Sequence, residues 1–156
     1  GFRRFIILTP HLPNIWAFNI AAEALRAEGY LATTIDYWRL QNRICADLTE
    51  GESFPTGHGS ELATSLLLAL RPHLVQQDKI KPEAPSDPFY LKYGSDYPTI
   101  FLNHDMKPLS ASGVFGDATK ASREKGEEII RRCLKYLVEF CRDFQRAALP
   151  SKREKP

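Results

Sequence analysis

Phe5-Ile6-Ile7-Leu8-Thr9-Pro10-His11-Leu12-Pro13-Asn14 opens the organised part of the chain. Phe5 to Leu8 is an unbroken apolar run rich in strand formers, as expected for a strand covered on both faces. The prolines of Thr9–Pro13 fix their own backbone and restrict their neighbours, so the strand leaves into a rigid loop. Asn14 is placed to cap a helix reaching about Glu28, with Ile15, Phe18, Ala22 and Leu25 on one face and Gly29 as its stop. Leu31 to Tyr37 returns as a second strand, with Leu31, Thr33 and Ile35 alternating with smaller or polar residues. Strand, helix and strand in so short a space predict a right-handed parallel crossover, and with it an α/β fold.

Further along, Gly57-His58-Gly59-Ser60-Glu61-Leu62-Ala63-Thr64-Ser65 leads into a leucine-rich helix over 60–71 that Pro72 ends. A histidine between two glycines can be approached closely, because neither neighbour carries a side chain. Ser60 is placed to cap the helix, and Glu61 to complement its N-terminal dipole. Two readings of His58 stand side by side. One is a proton donor or anion-facing group at an electropositive helix end, and the other a solvated histidine in a Gly-rich turn.

The rest of the chain is organised around these elements. A short helix is possible near Leu40 to Leu48. Residues 78–98, rich in Pro, Asp, Gly and Tyr, read as a long excursion of the kind that covers a site. Thr99-Ile100-Phe101-Leu102 is a strand candidate, and Ser110 to Asp117 a glycine-containing turn. The longest helix is expected over Ala118 to Ala147. Its apolar stripe is Ile130, Leu134, Leu137, Cys141 and Phe144, flanked by Ile129, Cys133 and Phe140, and turned toward the sheet. No internal repeat is present.

Composition excludes more than it selects. A length of 156 residues with 43% hydrophobic content suits one domain with a real core. A net charge of +2 gives no reason to expect nucleic acid or an anionic membrane as partner. Arg123, Lys125, Arg131 and Arg132 are interrupted by Glu124, Glu127 and Glu128, the pattern of a solvated helix face. Cys45, Cys133 and Cys141 have no metal-type spacing and read as buried free thiols of a reducing, cytoplasmic compartment. No apolar run is long enough to span a bilayer. The chain begins at Gly1 and runs almost at once into a strand, so it is expected to be part of a longer protein.

In a parallel α/β sheet, ligands bind outside the carboxyl ends of the strands. His11 follows the first strand, Trp38 follows the second, and His58 precedes a helix, so all three are expected at one rim and in one cleft. His73, after Pro72, reads as a C-terminal helix charge. His104, beside Asp105, is either an oriented imidazole or a loop residue.

The run His58-Gly59-Ser60-Glu61-Leu62-Ala63-Thr64-Ser65-Leu66-Leu67-Leu68-Ala69-Leu70-Arg71-Pro72-His73-Leu74-Val75 resembles the creatininase (creatinine amidohydrolase) family. The family pattern there is His-Ala/Gly-Gly-x-x-Glu-Thr-Ser, a leucine-rich helix, then Pro-x-Leu-Val. Ala121-Ser122-Arg123-Glu124-Lys125-Gly126-Glu127 is similar to the start of the family's last helix. His11 and Asn14 fall on its Gly-His-x-x-Asn loop, and Tyr37-Trp38 on a Tyr-Trp pair. The likeness runs from Phe5 to about Phe144.

The resemblance implies a three-layer α/β/α sandwich with a mainly parallel sheet, incomplete at its N-terminus, over residues 1–147; the charged residues that follow, 148–156, read as a disordered tail. It implies a homo-oligomeric hydrolase that opens a cyclic amide, a small molecule, at a binuclear zinc or manganese site. Such metals lower the pKa of a bridging water and polarise the scissile carbonyl. Carried across, His11 matches a metal ligand, and His58 the histidine that shuttles a proton to the leaving nitrogen. Trp38 matches an aromatic wall for a flat ring, and Asn14 a substrate-binding position. Glu61 matches an acidic, catalytic position of the wider family, beside its plain role as a first-turn carboxylate.

The departures are as informative. Pro13 stands where creatininases carry a metal-binding Glu, Ala63 where Glu precedes Thr-Ser, and Pro10 where Gly precedes the loop histidine. The family's Glu-x-His pair and further Asp precede the first strand seen here, and no Glu-x-His occurs in these residues. This chain alone is therefore not expected to hold the binuclear site. Two functions follow: a metal-dependent amidohydrolase whose remaining ligands lie upstream, and a non-catalytic relative kept for binding or oligomerisation.

Overall fold

The computed structural model describes residues 1–50, 57–93 and 105–152. They fall into two compact units, one of Gly1–Ala46 with Arg131–Pro156 and one of Asp47–Ile130. The expected strand at Thr99–Leu102, His104 and the end of the charged tail lie outside the described residues.

The first unit is built on the expected crossover. β1 (Arg4–Thr9) and β2 (Leu31–Asp36) pair in parallel, in register from Arg4 with Leu31 to Thr9 with Asp36. α1 (Ile15–Ala27) joins them, and its most buried positions, Ile15 and Ala22, lie on the predicted face. Gly29 takes φ 84 just past the helix, the left-handed conformation that a C-terminal stop requires. Asn14 behaves differently from expectation. It has helical backbone angles and no capping bond, and it closes a tight turn by donating its N–H to the His11 carbonyl at 3.1 Å.

α2 (Tyr37–Cys45) begins earlier than the sequence suggested, because Asp36 ends the strand and caps the helix. Its carboxylate accepts from the Arg39 N–H at 3.1 Å. Trp38 consequently sits in the first turn of a helix, not on a loop. Cys45 and Cys133 are buried free thiols as expected, whereas Cys141 is free but exposed. Burial, followed by the neighbouring Cys133 and Cys45 thiols, pushes the Tyr37 phenol above its ordinary range.

α6 (Arg123–Arg146) is the longest helix, but its buried stripe is turned from the expected one. Ile129 and Cys133, predicted as flanks, are buried, while Leu134 is 55% exposed and Cys141 faces out. Gly126 accounts for the rotation. A Cβ there would stand 2.0 Å from the Ser65 carbonyl oxygen, so the helix can pack this closely only with its glycine inward. Ile129 and Cys133 follow Gly126 on the same face by helical spacing.

In the second unit, α3 (Glu61–Leu70) buries Glu61, Leu62, Ser65 and Leu68. Ser60 makes no side-chain capping bond; its hydroxyl donates to the Gly57 carbonyl at 2.9 Å. The described part of the long excursion includes α4 (Pro88–Tyr93), where Asp87 Oδ1 accepts from the Phe89 N–H at 2.7 Å. α5 (Met106–Leu109) leads into the predicted turn, where Gly113 and Gly116 take φ 82 and 119. Asp117 then caps a single 3-10 turn, Ala118–Lys120, so α6 starts later than Ala118. Among the described residues no helix is long and apolar enough to cross a membrane.

Candidate functional site

His58 stands on the loop before α3, exposed but anchored. Its Nδ1 lies 2.7 Å from the Gly113 carbonyl oxygen. A carbonyl can only accept, so Nδ1 carries a proton in this bond, and in the neutral form of the imidazole Nε2 is then the acceptor. The His58 carbonyl in turn accepts from the Phe115 N–H at 2.8 Å. The buried Phe115 ring meets the imidazole edge-on, centroids 6.5 Å apart. Gly59 takes φ 64, and its carbonyl accepts from Thr64 Oγ1 at 3.0 Å, tying the loop to the first turn of α3.

The turn that holds His58 is itself held by Glu83, a residue that the sequence did not single out. One Glu83 oxygen accepts from Ser110 Oγ and the Ala111 N–H, both at 2.6 Å. The other accepts from Ser112 Oγ at 2.5 Å. The Ser110 hydroxyl, and then that of Ser112, draw the Glu83 carboxyl down to about 2. In sequence, Glu83 is one carboxylate in a polar, Pro-rich excursion, with no period or motif to mark it.

Glu61 is 0% exposed and paired. Lys125 Nζ lies 2.5 Å from its Oε1, and the Glu50 N–H donates to its two oxygens at 3.1 and 3.0 Å. The ammonium also reaches Glu50 Oε1 at 2.6 Å and the Lys120 carbonyl at 2.9 Å. Burial works against charge on Lys125, but hydrogen bonds to Glu50 and Glu61 outweigh it and hold the pKa above the ordinary range. The solvated face predicted for this end of α6 thus fails at Lys125, whose side chain is only 15% exposed. The signal was available only as a lysine immediately before an inward-facing glycine.

The other candidates belong to the first unit. His11 is exposed at the end of β1, where its N–H donates to Thr9 Oγ1 at 3.3 Å. Thr9 is buried, and its hydroxyl donates back to the His11 carbonyl at 3.0 Å, so the loop is clamped at the strand end. Asn14 is exposed and Trp38 half-buried. With the Asn42 amide oriented to satisfy both groups, Trp38 Nε1 donates to the Asn42 side-chain oxygen at 3.2 Å. This unit also has a cleft of about 330 Å³ lined by β2, α2, Tyr136 and Phe140, and none of the candidate residues lines it. The structure therefore joins His58 to Gly113 and Glu61 to Lys125 in one unit, and carries His11, Asn14 and Trp38 on the other. Among the described residues no three His, Cys, Asp or Glu side chains converge as metal ligands would.

Comparison with known proteins supplies the context. Residues 1–141 match the creatininase (creatinine amidohydrolase) family. The chain is 26% identical to creatinine amidohydrolase of Pseudomonas putida, over 92% of this chain and 56% of that protein. A solved structure of a Bacteroides fragilis protein assigned as a creatinine amidohydrolase superposes with a TM-score of 0.74. It is 19% identical and aligns over 97% of this chain and 57% of its own. A variant creatininase of the Zn-Zn type gives 0.64 at 26% identity, covering 92% and 57%. The chain thus spans little more than half the length of the relatives it matches. The parallel crossover, the clamped histidine loop after β1 and the His58 loop before α3 are a creatininase α/β fold, and the chain belongs to the creatininase (creatinine amidohydrolase) family.

Proposed function

We propose that this chain serves a creatininase-type amidohydrolase that opens a small cyclic amide, with residues 1–147 forming part of the family domain and 148–156 a tail outside it. The observation that carries the reading is the anchored ring of His58. With Nδ1 occupied by the Gly113 carbonyl, Nε2 is left to take a proton and return it to the departing amide nitrogen. Trp38 offers a flat apolar wall for a planar ring, and Asn14 a polar side chain beside the His11 loop. Glu61 acts through position in this reading, since a catalytic carboxylate would first have to give up Lys125.

A divalent metal, zinc or manganese, belongs to the family chemistry, and His11 is the residue here that matches one of its ligands. The described side chains do not assemble a site around His11. The steps assigned to this chain are accordingly those of its own groups. Like the rest of the reading, assembly into a homo-oligomer rests on the family.

The test is hydrolysis of creatinine and of other five- and six-membered cyclic amides by the complete protein, with zinc or manganese supplied. His58→Ala is expected to lower turnover by roughly 100-fold or more, the scale of a lost general acid–base group. Turnover of no cyclic amide by a folded, metal-supplied protein would leave the non-catalytic reading in its place.

A further inference from the structure

We infer that Glu83 is a positioning residue for His58: its carboxylate holds the 110–113 turn, and the Gly113 carbonyl of that turn selects the Nδ1–H form of the imidazole. The inference rests on the proposal that His58 carries the proton, and it names what prepares it to do so.

The connection is continuous and short. Glu83 accepts from Ser110 Oγ at 2.6 Å, and the same hydroxyl oxygen accepts the Gly113 N–H at 2.8 Å. Gly113 then presents its carbonyl to His58 Nδ1 at 2.7 Å. Gly113 is at φ 82, and a Cβ there would meet nothing within 4 Å. Glycine is needed at this position for its backbone angle and not for space. An unheld turn of this kind, with Ala111 and Ser112 exposed, has many other conformations to adopt. The Glu83 carboxylate removes that freedom by collecting two hydroxyls and the Ala111 N–H on one group.

Orientation of a histidine by a partner on its second nitrogen is a general way of setting which nitrogen reacts. Here the partner is a backbone carbonyl, which only accepts, so the ring loses its choice of tautomer. Free imidazole side chains favour the Nε2–H form, which would present the wrong nitrogen to a proton donor. The buttress thus has a chemical consequence beyond local rigidity.

Substitution of Glu83 should spare the fold. Its main chain forms an isolated antiparallel bridge with Gly116, N–H to carbonyl at 3.0 and 2.6 Å, that does not use the side chain. The test is long-range proton–nitrogen NMR of the His58 ring above its titration range, on the wild type and three variants. The wild type is expected to show Nδ1–H as the majority tautomer. Glu83→Ala and Ser110→Ala should each give an Nε2–H majority. Glu83→Gln should restore the Nδ1–H majority, because its amide keeps an acceptor oxygen and can donate to Ser112 Oγ. Turnover of a cyclic amide by the complete protein should fall by about 10-fold in Glu83→Ala and recover in Glu83→Gln.

An Nδ1–H majority in both alanine variants overturns the inference; should one of them fail to fold, the other decides it. His58→Ala separates the two proposals. If that variant retains turnover, the proton-carrying role of His58 is lost, while the tautomer measurement still decides what Glu83 does.

Discussion

Lys125 Nζ lies 2.5 Å from the carboxylate of Glu61, a side chain with no exposed surface at the first turn of α3. Sixty-four residues separate them in sequence. Their pairing fastens the beginning of α3 to the beginning of α6. A buried charge pair gives little net stability, but removing one member leaves the other uncompensated.

Lys125→Met is therefore expected to destabilise the protein by about 3 kcal/mol, and Glu61→Gln by distinctly less, since the amide still accepts from Lys125. Denaturant unfolding followed by circular dichroism measures both. If Glu61 acts by position, Glu61→Gln should also keep most of the cyclic-amide turnover of the complete protein. Loss of turnover with stability intact would make Glu61 catalytic.

Gly126→Ala tests the helix crossing. The added methyl would fall 2.0 Å from the Ser65 carbonyl oxygen and 2.7 Å from the Ala69 Cβ, and backbone cannot swing aside as a long side chain can. A cost of roughly 3 kcal/mol is expected, at the upper end of overpacking effects, despite alanine's better helix propensity. An unchanged melting temperature would show that α3 and α6 pack more loosely than described.

Acid should release the turn that holds His58. The folded pKa of Glu83 is about 2, below its ordinary 4.5, so across that interval the unfolded chain binds more protons. The contribution of Glu83 is then fully present above pH 4.5 and is lost as pH falls through 2. Carbon NMR of the Glu83 carboxyl should give a midpoint near 2, raised by Ser110→Ala. A midpoint at the ordinary value would remove the carboxylate from the turn.

Metal retention follows from the ligand count. After dialysis, this chain is expected to keep far less than the pair of zinc or manganese ions that a binuclear site holds. Elemental analysis checks this, and close to two ions per chain would mean that His11 has further metal ligands within the chain.

Exposed apolar side chains bear on assembly. Trp16 and Ile20 of α1 are 51% and 73% exposed, and Leu134 and Val138 of α6 are 55% and 45% exposed. Self-association is the expected outcome in solution. Light scattering that shows a stable monomer at high concentration would argue against it.

Much of the fold was legible in local pattern. Phe5–Leu8, the buried face of α1 and the Gly29 stop are nearest-neighbour properties: apolar run, helical period, a residue free to take positive φ. They determined the parallel crossover, and the order of motifs from His11 through His58 to Gly126 determined the family. Where Asp36 took over as a cap, one side chain's hydrogen bond ended the strand and moved Trp38 onto a helix. Only the tertiary structure decided the rest. The rotation of α6 is set by a steric contact between Gly126 and Ser65, the burial of Glu61 by a distant lysine, and the ring of His58 by Gly113 and behind it Glu83. None of these partners is within helical or strand spacing of the residue it governs, so no period could announce it. The sequence by itself determined which residues could do chemistry; the long-range contacts decided which of their atoms are free to do it.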